Sequence, residues 1–207
     1  MADSLLNLGT YELFSYLPNW AHLPTSFPSL LRRDVEFPGT KMNIVALTDQ
    51  TPMVFDLQFT LTTRVDIFNF QEFFDTQLGR VGCFWFRSPS TWATLAVNAA
   101  SGDEIIYCEA NGANWTYRGH ERLYILMDGG DIVTRKVSDI AYNAGNEEEE
   151  FSLTTVLDRD VTTANHAMIG KLYLCRFDMD SLSCVYLTDS VAEIQLRFYE
   201  LVHEYPE

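Results

Sequence analysis

Between Phe55 and Leu61 apolar and polar side chains alternate without a fault: Phe55, Leu57, Phe59 and Leu61 on one side, Asp56, Gln58 and Thr60 on the other. Successive side chains of a strand point to opposite faces, so a period of two describes a strand with one face buried. The period returns near the C-terminus. There Ile194, Leu196, Phe198 and Val202 share a face, against Glu193, Gln195 and Arg197. Shorter apolar runs fill the interval, at 42–47, 81–86, 104–108, 121–127, 132–137, 151–157, 171–177 and 184–188. Ser101-Gly102-Asp103, Asn111-Gly112 and Asp128-Gly129-Gly130 punctuate them. Glycine admits positive φ, and Asn or Asp bonds its own backbone, so these are turns. Asp128-Gly129-Gly130 predicts a hairpin. Asp178-Met179-Asp180-Ser181 predicts another, between the runs at 171–177 and 184–188, and Arg87-Ser88-Pro89-Ser90 is expected to break the strand begun at Val81.

One segment changes period. Ile67, Phe70, Phe74 and Leu78 recur at helical spacing, with Phe73 beside them. Thr63 with Asp66 three residues on has the form of a capping box, and Gly79 suits a left-handed terminator. The spacing predicts one amphipathic helix over 64–78 whose phenylalanine stripe is core. The expected fold is therefore mostly β, a β-sandwich or β-barrel-like arrangement with one amphipathic helix, and α+β at the margin.

With 207 residues, 47% of them hydrophobic, the chain can bury a substantial core. It divides into an extended arm, 1–40, and a β-rich main domain, 41–207; residues 90–180 read either as part of that domain or as an inserted subdomain. The arm interleaves Tyr11, Phe14, Tyr16, Trp20 and Phe27 with Pro18, Pro24, Pro28 and Pro38. Proline removes donors and fixes φ, so the segment is irregular or an edge. These aromatics either fold back on their own core or dock on a neighbour, which makes the five of them interface candidates. Asn143–Glu150 ends in four consecutive glutamates and is expected to be a solvated loop tip.

The net charge of -15 sets the chain against phosphate backbones, so direct sequence-specific nucleic-acid binding is not expected. No charged-then-apolar leader opens the chain and no apolar run reaches the length of a membrane span, so a cytosol-like compartment is expected. Cys83, Cys108, Cys175 and Cys184 form no CxxC pair. They read as small buried hydrophobes, with a four-thiolate zinc or iron–sulfur site as the alternative; no cofactor is expected.

Catalytic motifs are missing: the sequence has no GxSxG, HExxH, P-loop or GxGxxG. His22, His120, His166 and His203 are scattered, and Asp158-Arg159-Asp160 reads as a surface charge cluster rather than an acid–base pair. The chain is thus expected not to be an enzyme. A carbohydrate- or ligand-binding β domain is the alternative, with Trp85, Trp92, Trp115 and Tyr117 as a stacking platform. A hydrolase using Asp158 and Asp160 is a more remote one.

Two segments carry a family likeness. Phe73-Phe74-Asp75-Thr76-Gln77-Leu78-Gly79-Arg80-Val81-Gly82-Cys83-Phe84-Trp85-Phe86-Arg87-Ser88-Pro89 resembles a stretch of minor tail proteins of long-tailed bacteriophages. The nearest likeness is to the distal tail protein family of phages and gene-transfer agents. Val185-Tyr186-Leu187-Thr188-Asp189-Ser190-Val191-Ala192-Glu193-Ile194-Gln195-Leu196-Arg197-Phe198 resembles the last hairpin of such tail-tip proteins, and Leu17-Pro18-Asn19-Trp20 the opening of some members. Together these stretches span 35 of the 207 residues. The resemblance implies a structural component of the virion tail tip or baseplate, assembled in the host cytoplasm. Its copies would form a ring, with the tail tube protein, the tape-measure protein and the hub protein as partners. An acidic lumen would let DNA slide past. Members with four clustered C-terminal cysteines hold an iron–sulfur site, and this chain departs from that clustering.

Overall fold

The computed structural model describes residues 11–19, 21, 24–28, 32–35, 43–46 and 51–205. Among them the chain is mostly β. Its elements run β1 Glu12–Leu13, β2 Thr25–Pro28, β3 Arg32–Val35, β4 Asn43–Ala46, β5 Met53–Leu61, α1 Arg64–Thr76, β6 Phe84–Ala93 and β7 Ile105–Glu109. Then follow α2 Ala113–Thr116, β8 Arg122–Met127, β9 Ile132–Asn143, β10 Glu148–Leu153, β11 His166–Phe177, β12 Cys184–Tyr186 and β13 Ala192–Glu200. The strands pair antiparallel in two compact units. Within the described residues, unit 1 holds 11–14, 85–173 and 205, and unit 2 holds 15–84 and 174–204.

Unit 2 is built on the two alternating segments. β5 and β13 pair from Ala192↔Leu61 to Tyr199↔Val54, which puts Phe55, Leu57, Phe59 and Leu61 on the same buried face as Ile194, Leu196 and Phe198. β2 covers the far edge of β5. β13 is flanked on its other side by two strands in succession, β12 at Ala192–Ile194 and the end of β11 at Phe198–Glu200. β3 and β4 make a separate hairpin. The helix α1 starts as its sequence dictates: the Asp66 N–H donates to Thr63 Oγ1 at 3.0 Å, and the threonine hydroxyl donates to the Asp66 carboxylate at 2.7 Å. Its Ile67, Phe70 and Phe74 are buried. Phe70 meets Phe59 at 5.8 Å, and Phe74 meets Phe177 at 4.8 Å in a cluster completed by Phe84 and Phe198.

Unit 1 carries the order β11–β8–β9–β10–β7, with β6 pairing β1 and β11. The Asp128-Gly129-Gly130 hairpin forms as its composition requires, closed by the Met127 N–H on the Asp131 carbonyl at 2.8 Å with Gly130 at φ 85°. Leu123, Ile125, Val133, Val137, Phe151, Leu153 and Ile169 make its core.

Four local expectations need correction. Helix α1 ends at Thr76, and Leu78, at φ 52°, turns off the buried stripe into solvent. Strand β6 runs through Arg87-Ser88-Pro89-Ser90 to Ala93; proline lacks only its own N–H, and the Ser88 carbonyl still accepts from Tyr124 Oη at 2.7 Å. The segment 178–183 is not a hairpin, because β11 and β12 do not pair with each other: both pair with β13. The expected loop tip is shorter: residues 144–147, Glu147 among them, form an exposed turn, but the other three glutamates do not belong to it. Glu148–Glu150 open β10, and Glu149 faces inward with Phe151 and Leu153.

Candidate functional site

The arm aromatics are taken up in the chain's own packing to different degrees. Phe14, 1% exposed, lies in the core of unit 1 against Phe86, and its N–H donates to the Trp85 carbonyl at 2.8 Å. Its ring is therefore not a contact for a neighbour, which corrects that assignment. Tyr16 packs at a tilt against Phe70, ring centres 4.7 Å apart, in unit 2; Tyr11 is half-buried, and Phe27 is exposed on β2. Trp20 and His22 lie outside the described residues.

The other singled-out residues scatter. Cys108 is buried in unit 1 and Cys175 in unit 2, while Cys83 and Cys184 of unit 2 are half-buried; all four are free thiols. Burial pushes the Cys108 thiol up to about 12, helped by the Glu149 and Glu109 carboxylates. Among the described residues no three His, Cys, Asp or Glu side chains gather in metal-binding geometry. Asp158 and Asp160 have structural partners: Asp158 pairs with the buried Arg135 guanidinium at 2.9 Å, and Asp160 accepts the Ser101 N–H at 2.8 Å. The four aromatics of the expected stacking platform do not share a surface. Trp85 is fully buried, Trp92 packs edge-on against Phe151, Tyr117 donates its hydroxyl to the Val137 carbonyl, and Trp115 stands in solvent.

What the structure does bring together lies on unit 2, along α1 and β12. Val65 and Phe68 stand on the outer side of α1, each about two-thirds exposed, although the helix buries its other face. Val185, Tyr186 and Leu187 are consecutive, apolar and all exposed. An open groove of about 270 Å³ joins the two elements, lined by Arg64, Ile67, Phe68, Gln71, Tyr186 and Asp189. Alternation along β12 sends Val185 to a second groove of about 550 Å³. That groove lies over the outer residues Asp56, Gln58, Glu193, Gln195 and Arg197 of β5 and β13. Arg197 is spent there on Asp56, with nitrogens at 2.6 and 3.1 Å from the two carboxylate oxygens.

The surface is braced at its edge by the turn that follows β12. The turn 187–191 closes through the Leu187 N–H on the Val191 carbonyl at 2.9 Å, and Thr188 Oγ1 accepts the N–H of Val191 at 3.1 Å. Arg64 then pins the turn to α1 through the Asp189 carbonyl at 2.9 Å and its carboxylate at 3.3 Å. β12 pairs with β13 alone among the described strands, so its other edge has no strand partner among the described residues. The surface thus offers apolar side chains and an open strand edge, the two means by which one protein binds another. It was missed in the sequence because Val65 and Phe68 fall on the polar side of an otherwise regular helical pattern. The signal was there in Val185-Tyr186-Leu187, which breaks the alternation.

Unit 1 holds a buried charge cluster of another kind. Glu121, fully buried, accepts the Arg118 N–H at 2.9 Å and the His120 N–H at 3.2 Å, and pairs with Lys171 Nζ at 3.0 Å. Burial pushes its carboxyl up, but the Lys171 charge and the backbone N–H outweigh that and hold it below the usual carboxylate range. Lys171 also lies over the Trp92 ring at 5.2 Å and the Tyr173 ring at 5.6 Å. The cluster is enclosed by aromatic rings and explained by its own pairings. No protein-family model matches the chain, and no curated protein matches it in sequence.

Proposed function

We propose that the chain is a non-enzymatic structural subunit of a bacteriophage tail tip or baseplate, which joins the tail tube to the hub and receptor-binding apparatus as a ring of copies. The observation that carries the assembly part of this reading is the α1–β12 surface. Val65, Phe68, Tyr186 and Leu187 hold apolar area in water on α1 and along β12, a strand with one neighbour among the described residues. Phe68 and Tyr186 line one groove together, and exposed apolar side chains gathered at a groove mark an interaction site. The tail-tip part rests on the resemblance, whose two segments form the end of α1 with β6 and the β12–β13 hairpin. The net charge of -15 suits a wall past which nucleic acid slides.

The test is immunogold labelling of purified phage-like particles from the producing cells with antibody against the chain. Label at one end of the tail supports the reading. Particles free of the chain by labelling and by mass spectrometry contradict it.

A further inference from the structure

We infer that residues 110–117 of unit 1 are a second docking element, built to present the Trp115 indole to a basic surface of a partner protein. The inference is independent of the α1–β12 surface and goes beyond it. Trp115 is 87% exposed, yet the backbone that carries it is braced from inside. The Glu149 carboxylate, 1% exposed, accepts the N–H of Asn111 at 3.3 Å and of Asn114 at 3.0 Å. Asn111 Oδ1 takes the Ala113 N–H at 3.1 Å, and its Nδ2 donates to the Trp92 carbonyl at 2.6 Å. Thr116 Oγ1 donates to the Ala113 carbonyl at 3.1 Å, and Ala113 itself is buried in the core of unit 1.

A fixed loop loses little conformational entropy on docking. Tryptophan is the residue most enriched at the energetic centres of interfaces. Here a buried carboxylate and four hydrogen-bonded residues hold one in open solvent.

The charge around the loop selects the partner. Residues 107–118 and 146–150 hold the acids Glu109, Glu147, Glu148, Glu149 and Glu150 against Arg118 alone. Glu109 and Glu148 stand directly opposite one another in the β7–β10 register, where like charges repel. A partner bringing arginine or lysine relieves that repulsion and places a cation over the indole.

Fluorescently labelled octa-arginine is the probe, titrated against the full chain at about 0.15 M salt, with binding read by anisotropy and by protection of Trp115 from acrylamide. Wild type is expected to bind, and Trp115→Ala to weaken binding about tenfold, the scale of a desolvated cation–π contact. Asn111→Ala and Glu149→Gln keep the indole but loosen its brace, and should each weaken binding several-fold in variants whose near-UV spectrum is unchanged. Equal binding by Trp115→Ala overturns the inference, since bulk charge alone then explains the affinity. So does protection of Trp115 by phosphatidylcholine vesicles or cellohexaose in place of the peptide, which would make the loop a membrane or glycan contact.

Discussion

Replacing Glu121 by glutamine should be among the most damaging single substitutions in unit 1, although it changes almost no volume. The carboxylate has no exposed surface and takes two backbone N–H groups and the Lys171 ammonium. Glutamine turns an NH2 toward donors and leaves Lys171 without a counter-charge, with only 15% of its side chain exposed. Breaking a buried pair on one side costs about 3–5 kcal/mol, and Lys171's partial access to water argues for the lower end, about 3 kcal/mol. For a chain of this size each kcal/mol moves Tm by about 2–4 °C, so the expected drop is about 6–12 °C. Thermal melts followed by circular dichroism give the number. Lys171→Met added to Glu121→Gln should recover most of the loss, because the uncompensated cation is gone. A single variant that melts within about 2 °C of wild type, or a double variant worse than the sum of its parts, would refute the reasoning.

Acid should act on the same cluster in two steps. Burial lowers the His120 pKa, so its folded value lies below 6.5; Glu121 is held below 4.5. Both folded values are depressed, so each contribution to stability is present above the unfolded pKa and is lost as pH falls through the folded one. Tm should decline first below pH 6.5 and again below pH 4.5, and His120→Gln should remove the first step only. Gly170→Ala should destabilise by about 1–3 kcal/mol, because the new methyl enters the Tyr124 ring while that ring is fixed by its hydrogen bond to Ser88; a melt within error of wild type would contradict this. In the folded chain at pH 8 a thiol reagent should label Cys184 and, more slowly, Cys83, whose pKa is raised by burial and by Glu204. Cys108 and Cys175 should react only after denaturation, a difference that peptide mass mapping resolves.

What could be read from the sequence is what local periodicity controls. β5 and β13 alternate because one face of each is core, and Thr63 with Asp66 announces α1 four residues before its first buried side chain at Ile67. What could not be read depends on partners far along the chain. Glu149 looks like one of four solvated acids until Asn111 and Asn114, 38 and 35 residues away, bring it two N–H groups. The turn at 178–183 resembles a hairpin, but β13, formed later in the chain, takes both flanking strands. The candidate surface was illegible for the opposite reason. Its Phe68 is 65% exposed on the side of α1 opposite the buried stripe, and periodicity reports only the face that a helix buries within its own chain.

The central claim is that the α1–β12 surface exists to be covered by another copy of the chain. Sedimentation velocity of the wild-type chain beside Phe68→Ser/Tyr186→Ser, across a wide concentration range, tests it most directly. The account predicts oligomers for wild type and monomers for the variant, with Tm nearly unchanged because both side chains are already more than half exposed. A wild type that stays monomeric throughout, or a variant that assembles as wild type does, would contradict it.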